Sequence, residues 1–417
     1  MTRKDDNDRK GKVMRKVVRL RRFRIALLSM VLALPGVAQA QFTYTINNWA
    51  LTIAGYTGSG GTVILPATVA GLPVTGIGGN AFSGNSTVTS VTIPDSVTNI
   101  ADAAFEDCIG LTSVTLPNSV SHIPSLAFSG CRNLGSVTIP NSVTSIGDSA
   151  FDTCMSLTSV TLPDSVTTVG VAVFAICTSL TNVVMPNSVA SIGLGAFGLC
   201  ISLRSVTIPD SVTSIGDRAF QACTGLSSVT IPGSVTSIGE QAFQQCPSLT
   251  SVTVPDRVTS IGLETFQFCT NLASVTIGDG VTNIGSQTFS DCTKLTAVYF
   301  EGNAPSLGSS AFLNDIKATV YHLPGTKRWG STFGGLPTML WNGQVQTSSA
   351  SLGVRTNGFG FNITGSSNLV VVIEASTNLT NPAWSPLQTN TLNGNSLYFS
   401  DPQWTNYASR FYRVTWP

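Results

Sequence analysis

Eleven phenylalanines, running from Phe82 and Phe105 to Phe289 and Phe312, stand at ten identical intervals of 23 residues. All nine cysteines follow one of these rings by three positions, from Cys108 to Cys292. So strict a period means that one small unit is repeated and stacked. A unit of this size has too little apolar surface to be stable alone.

The unit 203–223 shows what is stacked. Leu203, Val206 and Ile208 point inward and Ser205 and Thr207 outward, the alternation of a strand. Pro209 closes that strand because it has no N–H for the ladder. Val212 and Ile215 re-enter the core from a second extended segment. Gly216 is read as a turn residue with positive φ. Asp217 is read as the N-cap of a short helical turn carrying Ala219, Phe220 and Cys223. Periods of about 20–29 residues with spaced Leu-like positions predict leucine-rich repeats. The expected fold is a β-rich, right-handed leucine-rich-repeat solenoid of 23-residue units with short helical turns.

The ends are marked by departures from the pattern. Residues 41–87 read as an N-terminal cap and a first degenerate repeat, with short strands around Gly58-Ser59-Gly60-Gly61 and Asn85 in the cysteine slot. Repeats fill 88–302. In the C-terminal cap, 303–343, Leu307 and Phe312 keep the pattern and Asp315 replaces the cysteine. Residues 344–417 lack the period. There Phe359–Ile363, Leu369–Glu374, Ser396–Phe399 and Phe411–Val414 read as strands, and Asn381-Pro382 and Asn393-Gly394 as turns. These predict a small all-β, sandwich-like module.

Segments such as Ser228-Val229-Thr230-Ile231-Pro232-Gly233-Ser234-Val235-Thr236-Ser237-Ile238-Gly239, followed by Ala242-Phe243 and Cys246, resemble BspA-type leucine-rich repeats. The opening Gly55-Tyr56-Thr57-Gly58 and the closing Tyr321-His322-Leu323-Pro324-Gly325-Thr326 are similar to that family's ends, so the resemblance covers about residues 42–342. It implies an exported or surface bacterial protein of the adhesin or binding type, and it carries no catalytic residues across.

The N-terminus agrees with export. Residues 1–24 are strongly basic, Ile25 to Leu34 are apolar, and Ala38-Gln39-Ala40 is a small-residue cleavage pattern. Residues 1–40 therefore read as a signal peptide cut after Ala40. Its apolar run is shorter than the roughly 20 residues a membrane span needs. Arg21-Arg22 fits twin-arginine export, although basic leader segments contain such pairs by chance. The leader holds eleven of the 22 Lys/Arg and three of the 21 Asp/Glu, so the remainder is acidic by about seven charges. That leaves no footprint for nucleic acid. No later segment reads as transmembrane, and Gln41 in place of Cys offers no lipid anchor.

Chemistry is sparse. The cysteines could form disulfides in an exported protein or ligate metal. Their odd number and core-facing slot fit better with buried thiols packing as small hydrophobes, where a serine hydroxyl would lack a partner. His122 and His322 have no carboxylate or nucleophile at a fixed spacing, so the chain reads as non-enzymatic, with no cofactor. An Asp/Asn column, including Asp95, Asn118, Asp256 and Asp279, could hold Ca²⁺, but turn chemistry after Pro accounts for it and Gly233 breaks it, so no metal is assigned. Outward Ser-x-Thr pairs such as Ser113 and Thr115 form a hydroxyl lattice, either a solvated face or a surface for glycan, protein or ice.

The sharpest departures are apolar. Val171 and Leu194 replace the Asp or Ser of other units, Ile176 and Leu199 replace Gln, Gly or Ala, and Ile201 replaces Thr. These five fall in two adjacent units and form a candidate partner-contact patch. The competing reading is that they fill gaps beneath the turns. The functional expectation is an exported binding or adhesion protein contacting protein or glycan outside the cell. The alternatives are a purely structural surface or matrix component and an ice- or glycan-binding lattice.

Overall fold

The computed structural model describes residues 41–323 and 325–341, and in the C-terminal part 344–346, 352–355, 358–364, 370–378, 380, 383–392 and 396–415. The leader 1–40, Pro324 and the dipeptides Asn381-Pro382 and Asn393-Gly394 lie outside the described residues.

Each repeat makes one turn of a three-sided β-solenoid. The first side is a row of parallel strands beginning with Val88–Thr92 and continuing through Ser205–Thr207 and Ser228–Thr230 to Leu336–Leu340. Registration is one repeat per rung: Ser205 faces Ser228, Val206 faces Val229 and Thr207 faces Thr230. Val206 is buried between exposed Ser205 and Thr207, as the alternation predicts. The second side is a row of two-residue strands from Asn99–Ile100 to Ser306–Leu307, with Ser214 opposite Ser237.

The third side is not helical, and here the expected helical turn is corrected. A helix would satisfy its amides four residues back. Instead Phe105 N–H donates to Ala127 in the next rung at 2.9 Å, and Phe128 N–H to Ala150 at 2.8 Å. Paired tight turns create this geometry, with Arg218 at φ 54° and Ala222 at φ 55° in the left-handed region. The anticipated positive φ at Gly216 therefore falls on non-glycine neighbours. Gly216 is needed for approach, since a Cβ there would lie 2.7 Å from the Gly193 carbonyl carbon. Asp217 caps no helix: its Oδ1 accepts the Glu240 N–H of the next rung at 2.8 Å.

Stacking puts identical side chains in columns. From Phe82 to Phe312 the rings stack at centroid spacings of 4.8–5.7 Å with tilts no greater than 21°. Each cysteine Sγ donates to the carbonyl of the phenylalanine in the preceding rung, at 3.0–3.3 Å throughout. A serine column does likewise: Ser188 Oγ donates to Val166 O at 2.7 Å and Ser211 Oγ to Val189 O at 2.6 Å. Thr181 Oγ1 donates to Thr158 O at 3.0 Å. Much of the Ser and Thr content thus ties rung to rung.

The N-terminal hairpin Phe42–Asn47 and Ala50–Tyr56 closes one end, with Tyr56 stacked on Phe82 at 5.2 Å. Trp329 and Phe333 close the other against Phe300. The C-terminal module has two antiparallel sheets. Gly358–Thr364 pairs with Gln344–Gln346, Leu352–Arg355 and Ser396–Asp401, while Val370–Ser376 pairs with Ser385–Thr391 and Phe411–Thr415. Its core, including Phe361, Ile373 and Phe399, forms a cluster separate from that of the solenoid. Ser385–Thr391 was not anticipated, because its side chains are almost all exposed and polar. Among the described residues no helix is long and apolar enough to cross a membrane.

Candidate functional site

The turn side carries the five departures read from the sequence. Val171 and Leu194 occupy equivalent positions in adjacent rungs, as do Ile176 and Leu199, and Ile201 follows Leu199 by two residues. Val171 is 40% exposed, Leu194 and Leu199 45% and Ile201 43%; Ile176 is half-buried. Four of the five side chains are thus largely open to solvent, and Ile176 is partly covered. Val171 N–H donates to Asp148 Oδ1 of the preceding rung at 3.0 Å, so the main chain is held while the side chain faces solvent.

The backbone makes this unusual. Ile176 has φ 57° and Leu199 φ 60°. Glycine or a small polar residue suits that region best, and a β-branched side chain is an outlier there. Equivalent positions hold Gly84, Asp107, Gly130, Thr153, Ala222, Gln245, Asp291 and Asn314, all small or polar and all with positive φ, so what sets Ile176 and Leu199 apart is their aliphatic side chains. Phe268 shares the Ile176 column, with φ 60° and 41% exposure, and Leu263 shares the Val171 column. The sequence reading passed over both, although the same column comparison finds them. Between these apolar rungs Gln221, Gln244 and Gln267 form an amide ladder, with Gln244 donating to Gln267 at 2.7 Å.

The cysteines are fully buried, and burial pushes the thiols from Cys154 to Cys292 upward, to about 12 for Cys200 and Cys269, which suppresses the reactive thiolate; at the start of the column the hydrogen bond between Cys131 and Cys108 lowers Cys108 and raises Cys131. His122 is exposed and its Nδ1 lies 2.7 Å from Ser145 Oγ. His322 stacks on Trp329 at 5.0 Å. Among the described residues no three His, Cys, Asp or Glu side chains converge as a metal site would require. Three carboxyls are perturbed near the C-terminal end of the solenoid, Asp279, Glu301 and Asp315, with Asp279 raised by burial and by the Asp256 charge. Burial, then the charges of Asp256 and Asp279, raises Glu301 to about 7. Burial raises Asp315 to about 7 as well.

Against this geometry the comparisons with known proteins can be placed. The pattern of the BspA type leucine-rich repeat region matches residues 75–204 and 191–319, more than half of the chain. The chain belongs to the BspA-type leucine-rich-repeat family. Among solved structures, this BspA-type chain is similar to a leucine-rich repeat protein from Bacteroides ovatus ATCC 8483. The two are 28% identical with a TM-score of 0.61, over 67% of this chain and 83% of the other. It also aligns with a leucine rich cell surface protein from Faecalibacterium prausnitzii A2-165, at 29% identity and a TM-score of 0.44, over 69% of this chain and 94% of the other. No curated protein sequence matches the BspA-type chain.

Proposed function

We propose that the protein is exported and acts outside the cell as a non-enzymatic binding or adhesion protein. The solenoid is the scaffold, and the turn-side patch is the contact surface for a protein or glycan ligand. The observation that carries this reading is the patch: aliphatic side chains of Val171, Leu194, Leu199 and Ile201, each 40–45% exposed, on adjacent rungs beside Ile176. Contiguous apolar surface often marks a partner site. The basic, apolar and small-residue order of residues 1–40 supports export, and BspA-type repeats are typical of surface-associated bacterial proteins. A lattice ligand is less well supported, because Asn182, Val184 and Tyr299 interrupt the Ser-x-Thr columns.

The test compares the secreted protein with an Ile176→Gln, Leu199→Gln double variant on a glycan array and on extracellular-matrix proteins. The expected result is loss of binding in the variant at nearly unchanged melting temperature. Unchanged binding with a lowered melting temperature would reduce the patch to packing. A wild-type protein that binds nothing on either surface would favour a purely structural component.

A further inference from the structure

The rung that carries Leu194, Leu199 and Ile201 departs from its neighbours in a fourth place. Arg204 stands in a column otherwise made of threonine, serine, glycine and alanine: Thr158 and Thr181 precede it, and Ser227 and Thr250 follow. It is the one charged side chain in that column. Among the described residues only Arg410 and Arg413 reach a carboxylate, so the exposed Arg204 guanidinium has no ion-pair partner.

Arg204 also lines a groove. Thr181, Ile201, Arg204, Gly225, Ser227 and Ser248 enclose a shallow depression of about 480 Å³ that crosses four successive rungs at the corner between the turn side and the first strand row. Gly225 keeps the rungs close there, since a Cβ would lie 2.5 Å from the Ile201 carbonyl oxygen. The Thr181 and Ser227 hydroxyls donate to main-chain carbonyls of the preceding rung, so their protons are already committed. Arg204 is thus the free multiple donor at the groove. Ile201 lines the groove and belongs to the apolar patch, which makes the two surfaces continuous.

We infer that patch and groove form one peptide-docking surface, and that its partner is a polypeptide segment with an Asp or Glu beside aliphatic or aromatic side chains. The inference rests on the proposed contact role of the patch and adds the chemistry of the occupant. A guanidinium binds a carboxylate through two parallel N–H···O bonds. The neighbouring aliphatic groups bury apolar side chains of the same segment. The patch residues Val171, Ile176, Leu194, Leu199 and Ile201 include no aromatic ring, so they offer no π face on which a sugar could stack. Residues 41–417 carry a net negative charge, so an acidic segment gains selectivity from an unpaired arginine.

A phage-displayed random peptide library selected on the full exported protein tests this. The selected peptides are then titrated against wild type, Arg204→Gln, Leu199→Gln and a control, Arg257→Gln. Enriched peptides are expected to carry Asp or Glu within a few residues of Leu, Ile, Val or Phe. Their affinity is expected to fall about ten-fold or more in Arg204→Gln, to fall in Leu199→Gln, and to be unchanged in Arg257→Gln. Melting curves of each variant establish that it is folded. Peptides that depend on Leu199 but not on Arg204, or that lack acidic residues, would overturn the inference and leave the patch reading standing. Peptides indifferent to both substitutions would overturn both. Selective binding of an anionic glycan that depends on Arg204 and not on Leu199 would also overturn it.

Discussion

At Cys200 the thiol donates to the Phe174 carbonyl at 3.2 Å, so the residue in that slot supplies a proton as well as volume. Cys200→Val keeps the volume and removes the donor, and should cost about 1–3 kcal/mol in urea unfolding. Cys200→Ser retains a donor and should cost less, which reverses the expectation that a hydroxyl there would find no partner. If serine proves as costly as valine, the thiols are fillers only. Native protein should leave its thiols unreacted with a thiol reagent and react at all nine once unfolded. Asp315 tests the same slot by titration. It is 1% exposed, in the position of a cysteine, and neither carboxylate oxygen has a partner. Burial raises it from 3.8 to about 7, and the Asp291 charge adds to the rise. The protonated form is therefore the one the fold accepts, and it can donate as a thiol does. Its stabilising contribution is complete below the ordinary carboxylate value and is lost as pH rises through about 7. Asp315→Asn should flatten this part of the pH–stability profile, between about pH 4 and 7, and raise the melting temperature at the upper end. Glu301, also raised to about 7, contributes a residual slope of the same sign. An unchanged profile in Asp315→Asn would rule out this titration.

The turn element is where stability and the proposed ligand contact are opposed. Its main chain passes twice through the left-handed region in each rung, and side chains there are selected by solvent or by a partner rather than by the core. Leu199, at φ 60° and 45% exposed, should be improved by asparagine, which tolerates that region. Leu199→Asn is expected to stabilise by roughly 0.5–1 kcal/mol while abolishing ligand contact. A stability loss above about 2 kcal/mol would mean that Leu199 is packed rather than displayed. Gly216 gives the opposite case within the same element. Gly216→Ala places a methyl 2.7 Å from the Gly193 carbonyl carbon and should cost about 1–3 kcal/mol in thermal or urea unfolding.

Over the whole molecule, the phenylalanine, cysteine and serine columns make each rung depend on its neighbours and on little else. The solenoid core ends with its aromatic caps, and the C-terminal module has a core of its own around Phe361 and Ile373. Residues 41–343 should therefore be soluble and β-rich without the remainder, with a melting temperature near that of the full chain. An insoluble or unstructured fragment would mean that the two cores depend on each other.

The period of Phe and Cys was enough to determine the rung, the inward faces of Leu203, Val206 and Ile208, and the approximate ends of the array. Those features depend on apolar pattern and chain connectivity, which are local. The apolar departures at Val171, Ile176, Leu194, Leu199 and Ile201 were legible for the same reason, as mismatches within columns. Their exposure was not, because it follows from left-handed turns whose amides are satisfied by the next rung. A helical reading of Asp217 to Cys223 satisfies the same local spacing. Asp217 and Cys200 likewise have their partners in neighbouring rungs, in Glu240 and Phe174. Arg204 drew no reading from the sequence, because its place in a groove with Ile201 and Gly225 arises only from stacking. Sequence decides what a repeat can bury; only stacking decides which groups of adjacent repeats meet, and in this molecule the hydrogen-bond partners of Asp217 and Cys200 and the proposed contact surface both lie between rungs.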